Sequence, residues 1–121
     1  MNLLFSSLCF CTFERLLTMK TRKQMLEEFL SQDPNDSFSR YALALELEKE
    51  GKQPEAVEQF REVIARDPDY VAAYHQLGRM LARSGNADEA REAYRRGLDA
   101  AIAANDQRAR SEIQEALDMI G

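Results

Sequence analysis

The chain has 121 residues, with 45% apolar and 31% charged content, enough for one soluble domain with a packed core. Its 5 Gly and 3 Pro are too few for a turn-rich all-β fold, and a formal charge of −5 argues against nucleic acid as a partner. A single His excludes any site built from several histidines and makes a His-based triad a poor prospect.

Residues 1–18 differ from the rest. Leu3, Leu4, Phe5, Leu8, Phe10 and Phe13 make a short apolar run interrupted by Ser6, Ser7, Thr12 and the chain's two cysteines, Cys9 and Cys11. The run is about 11 residues, where a membrane-spanning helix needs roughly 20. No Lys or Arg precedes it and no small-x-small cleavage site follows it before Glu14 and Arg15, so it is a poor signal peptide. The segment reads as a leader or a disordered stretch with Met19 as an alternative start. A membrane-leaning tail and an additional hydrophobic helix are the competing readings. Cys9-x-Cys11 holds no metal by itself and bridges badly. The body from Met19 onward has no cysteine, which suits a reducing cytoplasm.

From Thr21 the apolar spacing is helical. Met25, Leu26, Phe29 and Leu30 precede Asp33-Pro34 and predict a helix over 20–32. Tyr41, Leu43, Ala44, Leu45 and Leu47 lead to Gly51 and predict a helix over 36–50. Ala56, Val57, Phe60, Val63 and Ile64 lead to Pro68 and predict one over 53–66. Further helices are expected over 70–84, 87–104 and 106–119. Gly51 and Gly85 mark helix stops, because a left-handed residue costs glycine least. Pro68 ends the preceding helix, and Asp67 or Asp69 is expected to cap the next. Met25, Met80 and Met119 are expected to fill core gaps.

A shift of 34 residues superimposes the two middle pairs. Leu43 falls on Leu77, Leu47 on Leu81, Gly51 on Gly85, Glu55 on Glu89, Ala56 on Ala90, Phe60 on Tyr94 and Arg61 on Arg95. Asp33-Pro34 recurs as Asp67-Pro68. Such a repeat is the mark of stacked supersecondary units.

These residues resemble a small bacterial-type tetratricopeptide repeat protein. One copy reads Tyr74-x-x-Leu77-Gly78-x-x-Leu81, then Gly85, Ala90, Tyr94 and Gly97. The other reads Arg40-x-x-Leu43-Ala44-x-x-Leu47, then Gly51, Ala56, Phe60 and Pro68. Three positions depart from the pattern: Arg40 replaces an aromatic, Leu47 and Leu81 replace Tyr, and Ile102 replaces the closing proline. The last departure predicts that the helix from Ala87 runs on through Ala104.

The resemblance implies an all-α fold, a right-handed α-α superhelical array of about six antiparallel helices. The domain is 19–121, with a half-repeat helix at 20–34, repeats at 37–70 and 71–104, and a capping helix at 105–121. Ala44, Gly78, Ala56 and Ala90 would permit close helix contact, and Phe60 and Tyr94 would fill the gap between one pair and the next. Ala109, Ile113, Ala116, Leu117 and Ile120 would cover the far end.

In this family the first helix of each pair lines a concave groove. By alignment the groove residues are Phe38, Tyr41, Leu45, Glu48 and Lys49, then Ala72, His75, Gln76, Arg79, Ala82 and Arg83, with Arg110 and Ile113 from the end helix. Arg79, Arg83 and Arg110 would meet carboxylates of a partner while Tyr41 and Leu45 hold an apolar side chain. The competing readings pair Arg79 and Arg83 with Glu46, Glu48 or Glu50, and place Tyr41 and Leu45 in the core. Glu46, Glu48 and Glu50 read as a solvated face, and Arg91, Arg95 and Arg96 as partners of Glu89 and Glu92 along one helix. The expected function is a non-enzymatic protein–protein interaction module with no cofactor and a protein or peptide partner. A self-associating assembly protein and a membrane-tethered scaffold are the alternatives.

Overall fold

The computed structural model describes residues 19–120, so the expectations for the apolar run and for Cys9 and Cys11 lie outside the described residues. Six helices make up this region and none of the described residues forms a strand: α1 Arg22–Gln32, α2 Ser37–Lys49, α3 Gln53–Arg66, α4 Val71–Arg83, α5 Ala87–Ala103 and α6 Gln107–Ile120. Each packs on its chain neighbour, most closely within the hairpins α2–α3 and α4–α5, and α4 also touches α6.

Local chemistry sets the ends. Thr21 Oγ1 accepts the Gln24 N–H at 3.2 Å and Gln24 Oε1 accepts the Thr21 N–H at 3.0 Å, a capping box opening α1. Asp36 opens α2 by accepting the Ser39 N–H at 3.2 Å and the Ser39 hydroxyl at 2.7 Å. These bonds hold the Asp36 carboxyl below its usual range, the Ser39 hydroxyl contributing most. Three helices close alike: Lys52 N–H donates to Leu47 O, Asn86 to Leu81 O and Asp106 to Ala101 O, each at 2.9 Å. The left-handed residues between are Gly51 at φ 78°, Gly85 at φ 88° and Asn105 at φ 54°. Asn105 lets α5 end three residues beyond the point one period after the end of α3.

The cap expected for α4 is not formed by Asp67 or Asp69. Tyr70 is the N-cap residue and makes no side-chain capping bond, while Asp67 ends α3. Tyr70 stands one period after Asp36, and its ring is used differently: it lies against Tyr41, with centroids 5.2 Å apart.

The core runs through all six helices, with Phe60, Met80, Ile113 and Val63 its largest fully buried side chains. Burying a side chain of this size contributes roughly 1.5–3 kcal/mol. Small residues set the helix spacing. The Tyr94 ring fills the space over Gly78: a Cβ there would stand 2.6 Å from Tyr94 Cδ1 and 2.8 Å from Cζ. At Gly97 a Cβ would come 2.7 Å from Tyr74 Cβ and 3.2 Å from Ile113 Cδ1.

Three packing expectations need correction. Phe60 and Tyr94 make their aromatic contacts inside each hairpin: Phe60 meets Tyr41 edge-on at 5.7 Å, and Tyr94 meets His75 at 6.2 Å. Tyr41 against Tyr70 bridges one hairpin to the next. Of the three methionines only Met80 is buried, because α1 turns Leu26 and Leu30 toward α2, and α6 turns Ile113 toward α5. Met25, Phe29 and Met119 therefore face outward. Ile113 is fully buried and is no groove residue, since it packs beside Gly97.

Arg40 takes over the bond its aromatic counterpart makes. The Tyr74 hydroxyl donates to Pro68 O at 2.7 Å, and Arg40 Nη2 donates to Pro34 O at 2.9 Å, one period earlier. Each hairpin thus ties its first helix to the carbonyl of the proline six residues before. Burial raises the Tyr74 phenol above its usual value, which keeps it a neutral donor. Arg96 lies over the same ring, 5.4 Å from its centroid.

Candidate functional site

The first helices of the hairpins, α2 and α4, share one wall of the array. The contact that joins them is ionic. Arg79 Nη2 donates to both oxygens of Glu48, at 2.7 and 2.9 Å, and Arg83 Nη1 donates to Glu48 Oε1 at 3.3 Å. Gln76 Oε1 accepts from the same guanidinium at 2.6 and 3.0 Å. Helical spacing makes this possible: Gln76, Arg79 and Arg83 lie three and four apart on one face of α4.

Glu46, Glu48 and Glu50, at the end of α2 and its C-cap, are not merely solvated. Glu46 faces Arg22 at 3.3 Å and Lys49 at 3.6 Å, and Glu50 faces Lys23 and Lys52, each at 3.3 Å. The bond from Lys23 draws the Glu50 carboxyl below its usual range. Glu46 and Glu50 thus reach back to α1, while Glu48, on another side of the helix, reaches forward to α4. The arginines of α5 also diverge from a simple surface ladder. Arg91 pairs with Asp88 at 2.7 Å, Arg61 of α3 holds Glu89 at 2.7 Å, and Arg96 stacks on Tyr74.

The other aligned residues fall on the same wall or beside it. Phe38 is 67% exposed at the start of α2, whereas Tyr41 and Leu45 are half-buried against the core. Leu45, Glu46, Glu48, Lys49, Arg22, Gln53 and Arg83 line a depression of about 360 Å³. Leu45 is its one apolar lining residue, and the others are charged or polar. His75 is half-buried against Tyr94, Ala82 is half-buried, and Ala72 is exposed. Arg110 lies apart, in a shallow depression on α6 with Gln114, Glu115, Asp118 and Met119. A second cavity, about 370 Å³, opens between α3, α4 and α5 over Ile64, Leu77, Leu81 and Ala93, rimmed by Arg61 and Arg96. Sequence reading missed it, since its walls come from three helices of different hairpins.

Among the described residues no cluster of three or more His, Cys, Asp and Glu could hold a metal ion. No described helix is long and apolar enough to cross a membrane.

The tetratricopeptide repeat profile matches residues 18–103. The chain belongs to the tetratricopeptide repeat family. Among solved structures it is similar to a tetratricopeptide repeat domain protein from Salinibacter ruber, with 36% identity, 70% of this chain and 94% of that chain covered, and a TM-score of 0.67. A Bordetella parapertussis protein matches at 28% identity, over 84% of this chain and 89% of that one, with a TM-score of 0.71. The Yersinia enterocolitica type III secretion translocator chaperone SycD shares the fold at 15% identity, over 98% of this chain and 79% of that one, with a TM-score of 0.73. No curated protein matches the sequence. The tetratricopeptide repeat fold generally mediates protein–protein interaction.

Proposed function

We propose that this chain is a non-enzymatic interaction module that holds an extended peptide or a partner helix along the wall formed by α2 and α4. One observation carries the reading. The wall offers a large exposed aromatic, Phe38, and a depression lined by Leu45, next to arginines already ordered by Glu48. Apolar anchors in a pocket and ordered arginines are the features that concentrate binding energy. An ordered guanidinium loses little freedom when a partner arrives.

The Glu48 contacts refine the role of the arginines. Arg79 is chelated by Glu48 and shields it. Arg83 shares that carboxylate by a single longer bond and is 57% exposed, so it is the cation that a partner carboxylate reaches first. The partner is a protein segment with an apolar side chain for Leu45 and Phe38 and an acidic group for Arg83. SycD, which shares the fold, is a chaperone of secretion translocators, and a protein partner for this chain fits that precedent.

Affinity capture with immobilised full chain tests the reading. The partner held by the wild type is identified by mass spectrometry, and its binding is then titrated against Phe38→Ala, Arg79→Glu and Arg83→Glu. Tenfold or weaker binding for Phe38→Ala and Arg83→Glu is expected, about 1.4 kcal/mol. Unchanged affinity for all three variants refutes the proposal.

A further inference from the structure

The cavity between α3, α4 and α5 shares no lining residue with the proposed partner wall. Its base is Ile64 of α3, Leu77 and Leu81 of α4 and Ala93 of α5, with Tyr74 to one side, and none of these is more than 6% exposed. Its mouth carries four exposed charged side chains, Arg61, Glu89, Glu92 and Arg96. A volume of about 370 Å³ lies at the small end of the roughly 300–1,000 Å³ of cavities that take small molecules.

The 34-residue period places an internal comparison beside it. One period earlier, on α1, α2 and α3, the base positions are held by Leu30, Leu43, Leu47 and Gln59. Gln59 stands where Ala93 stands later, and Arg40 stands where Tyr74 does. The two meet: Arg40 Nη1 donates to Gln59 Oε1 at 3.0 Å. At the later cleft the Tyr74 hydroxyl is turned to Pro68 O and Ala93 has only a methyl, so the space between them is open. The mouth positions differ too. Glu27, Glu55, Glu58 and Glu62 hold them in the earlier copy, and Arg61, Glu89, Glu92 and Arg96 in the later. Four carboxylates become two carboxylates and two guanidiniums at the copy that carries the cavity.

The four charges are not equivalent. Arg61 Nη2 donates to Glu89 Oε2 at 2.7 Å and ties α3 to α5, so this pair satisfies itself. Arg96 is laid over the Tyr74 ring, and among the described residues neither Arg96 nor Glu92 forms an ion pair. They stand four residues apart on α5, a spacing that makes them neighbours on one face, while stacking on Tyr74 holds Arg96 off Glu92. The mouth therefore offers one carboxylate acceptor and one guanidinium donor above an apolar base. A ligand that satisfies both carries an ammonium and a carboxylate close together, with an apolar group attached. A peptide terminus brings only one of the two charges. A fatty acid brings its carboxylate beside Glu92, a like-charge contact that disfavours it.

We propose that this cleft binds a free α-amino acid with an apolar side chain. The ammonium donates to Glu92, the carboxylate accepts from Arg96, and the side chain rests on Ile64, Leu77 and Leu81 in the space that Ala93 leaves. Ile64 belongs to one hairpin and Leu77, Leu81 and Ala93 to the next, so the ligand clamps two hairpins together and raises Tm as it saturates the site.

L-leucine is the probe. The methyl resonances of Ile64, Leu77 and Leu81 in the native full chain are followed by NMR as leucine is added. Saturable shifts at these methyls are expected, with N-acetylleucine and leucinamide each binding about tenfold more weakly or worse, since each lacks one charge. Ala93→Gln installs the side chain of the earlier copy in the cleft and should weaken leucine binding about tenfold or more. Glu92→Gln should do the same, and because Glu92 is exposed that variant keeps the fold even where Ala93→Gln does not. Circular dichroism of the unliganded variants checks this. No saturable shift up to about 20 mM leucine overturns the proposal. So does equal affinity for N-acetylleucine or octanoate, which means apolar filling or an anion site, and so does unchanged leucine binding by Glu92→Gln. Loss of partner binding moves none of these shifts, so this proposal and the function proposed above fail separately.

Discussion

Gly78→Ala isolates the closeness of the helix packing. On propensity alone alanine stabilises an interior helix position by about 0.8–1 kcal/mol relative to glycine. Here the added methyl would meet Tyr94 Cδ1 at 2.6 Å and Cζ at 2.8 Å, and the Tyr94 ring is only 3% exposed. A buried ring has nowhere to turn, so the overpacking cost lies in the upper part of the usual range of about 1–3 kcal/mol. The balance is a net loss of about 1–2 kcal/mol. For a domain of this size that lowers Tm by about 5–10 °C. Gly51→Ala is the control: φ is 78° and no atom lies within 4 Å, so its cost of about 1–2 kcal/mol comes from the backbone dihedral. The two losses are told apart by a double-mutant cycle with Tyr94→Leu. Removing the ring should rescue Gly78→Ala by about 1 kcal/mol or more and leave Gly51→Ala unchanged. Thermal and urea melts give these values. A rise in Tm for Gly78→Ala, or no coupling to Tyr94, refutes the packing described here.

Three further outcomes follow from side chains that hold the hairpins. Tyr74→Phe and Arg40→Met each remove the donor to a proline carbonyl and should cost about 1 kcal/mol in urea melts, additively, since they serve different hairpins. Asp36→Ala should cost about 1 kcal/mol at pH 7. The folded Asp36 carboxyl sits below its ordinary 3.8, so its stabilisation is complete above that value and is lost as pH falls through the folded pKa. The gap between wild type and Asp36→Ala should therefore close below about pH 3.8 in acid melts, and Asp36→Asn should show no such change. Glu48→Gln leaves Arg79 and Arg83 without their counter-charge and should cost up to about 1 kcal/mol, a difference that shrinks as salt rises toward about 1 M.

The helices were legible because their signals are local. Apolar spacing, Asp-Pro stops and Gly51 and Gly85 mark ends within one turn, and the period of 34 exposes the equivalence of the hairpins. The break at 105 is legible too, between the helices expected over 87–104 and 106–119, but the left-handed role of Asn105 is not, because asparagine adopts that conformation less often than glycine does. What failed depended on contacts between helices. Tyr70 could be read as a missing cap, yet its service against Tyr41 appears only once the hairpins stack. Met25 and Phe29 fit a helical stripe, but the stripe is wider than the face α2 covers. Glu48 was read both as groove and as solvated face; its bonds to Arg79 and Arg83 depend on rotamers and on the stagger of α2 against α4. Arg40 departs from the repeat pattern by residue type while keeping the pattern's hydrogen bond, which a letter comparison hides.

The decisive measurement is a photo-crosslinking scan in cells with benzoylphenylalanine placed singly at Phe38, Leu45 and His75, and at the exposed outer positions Glu58, Glu92 and Arg95. Adducts to one partner protein from the first three positions, and none from the last three, are expected. Adducts to that partner from the outer positions alone would contradict an inner wall built to hold another polypeptide.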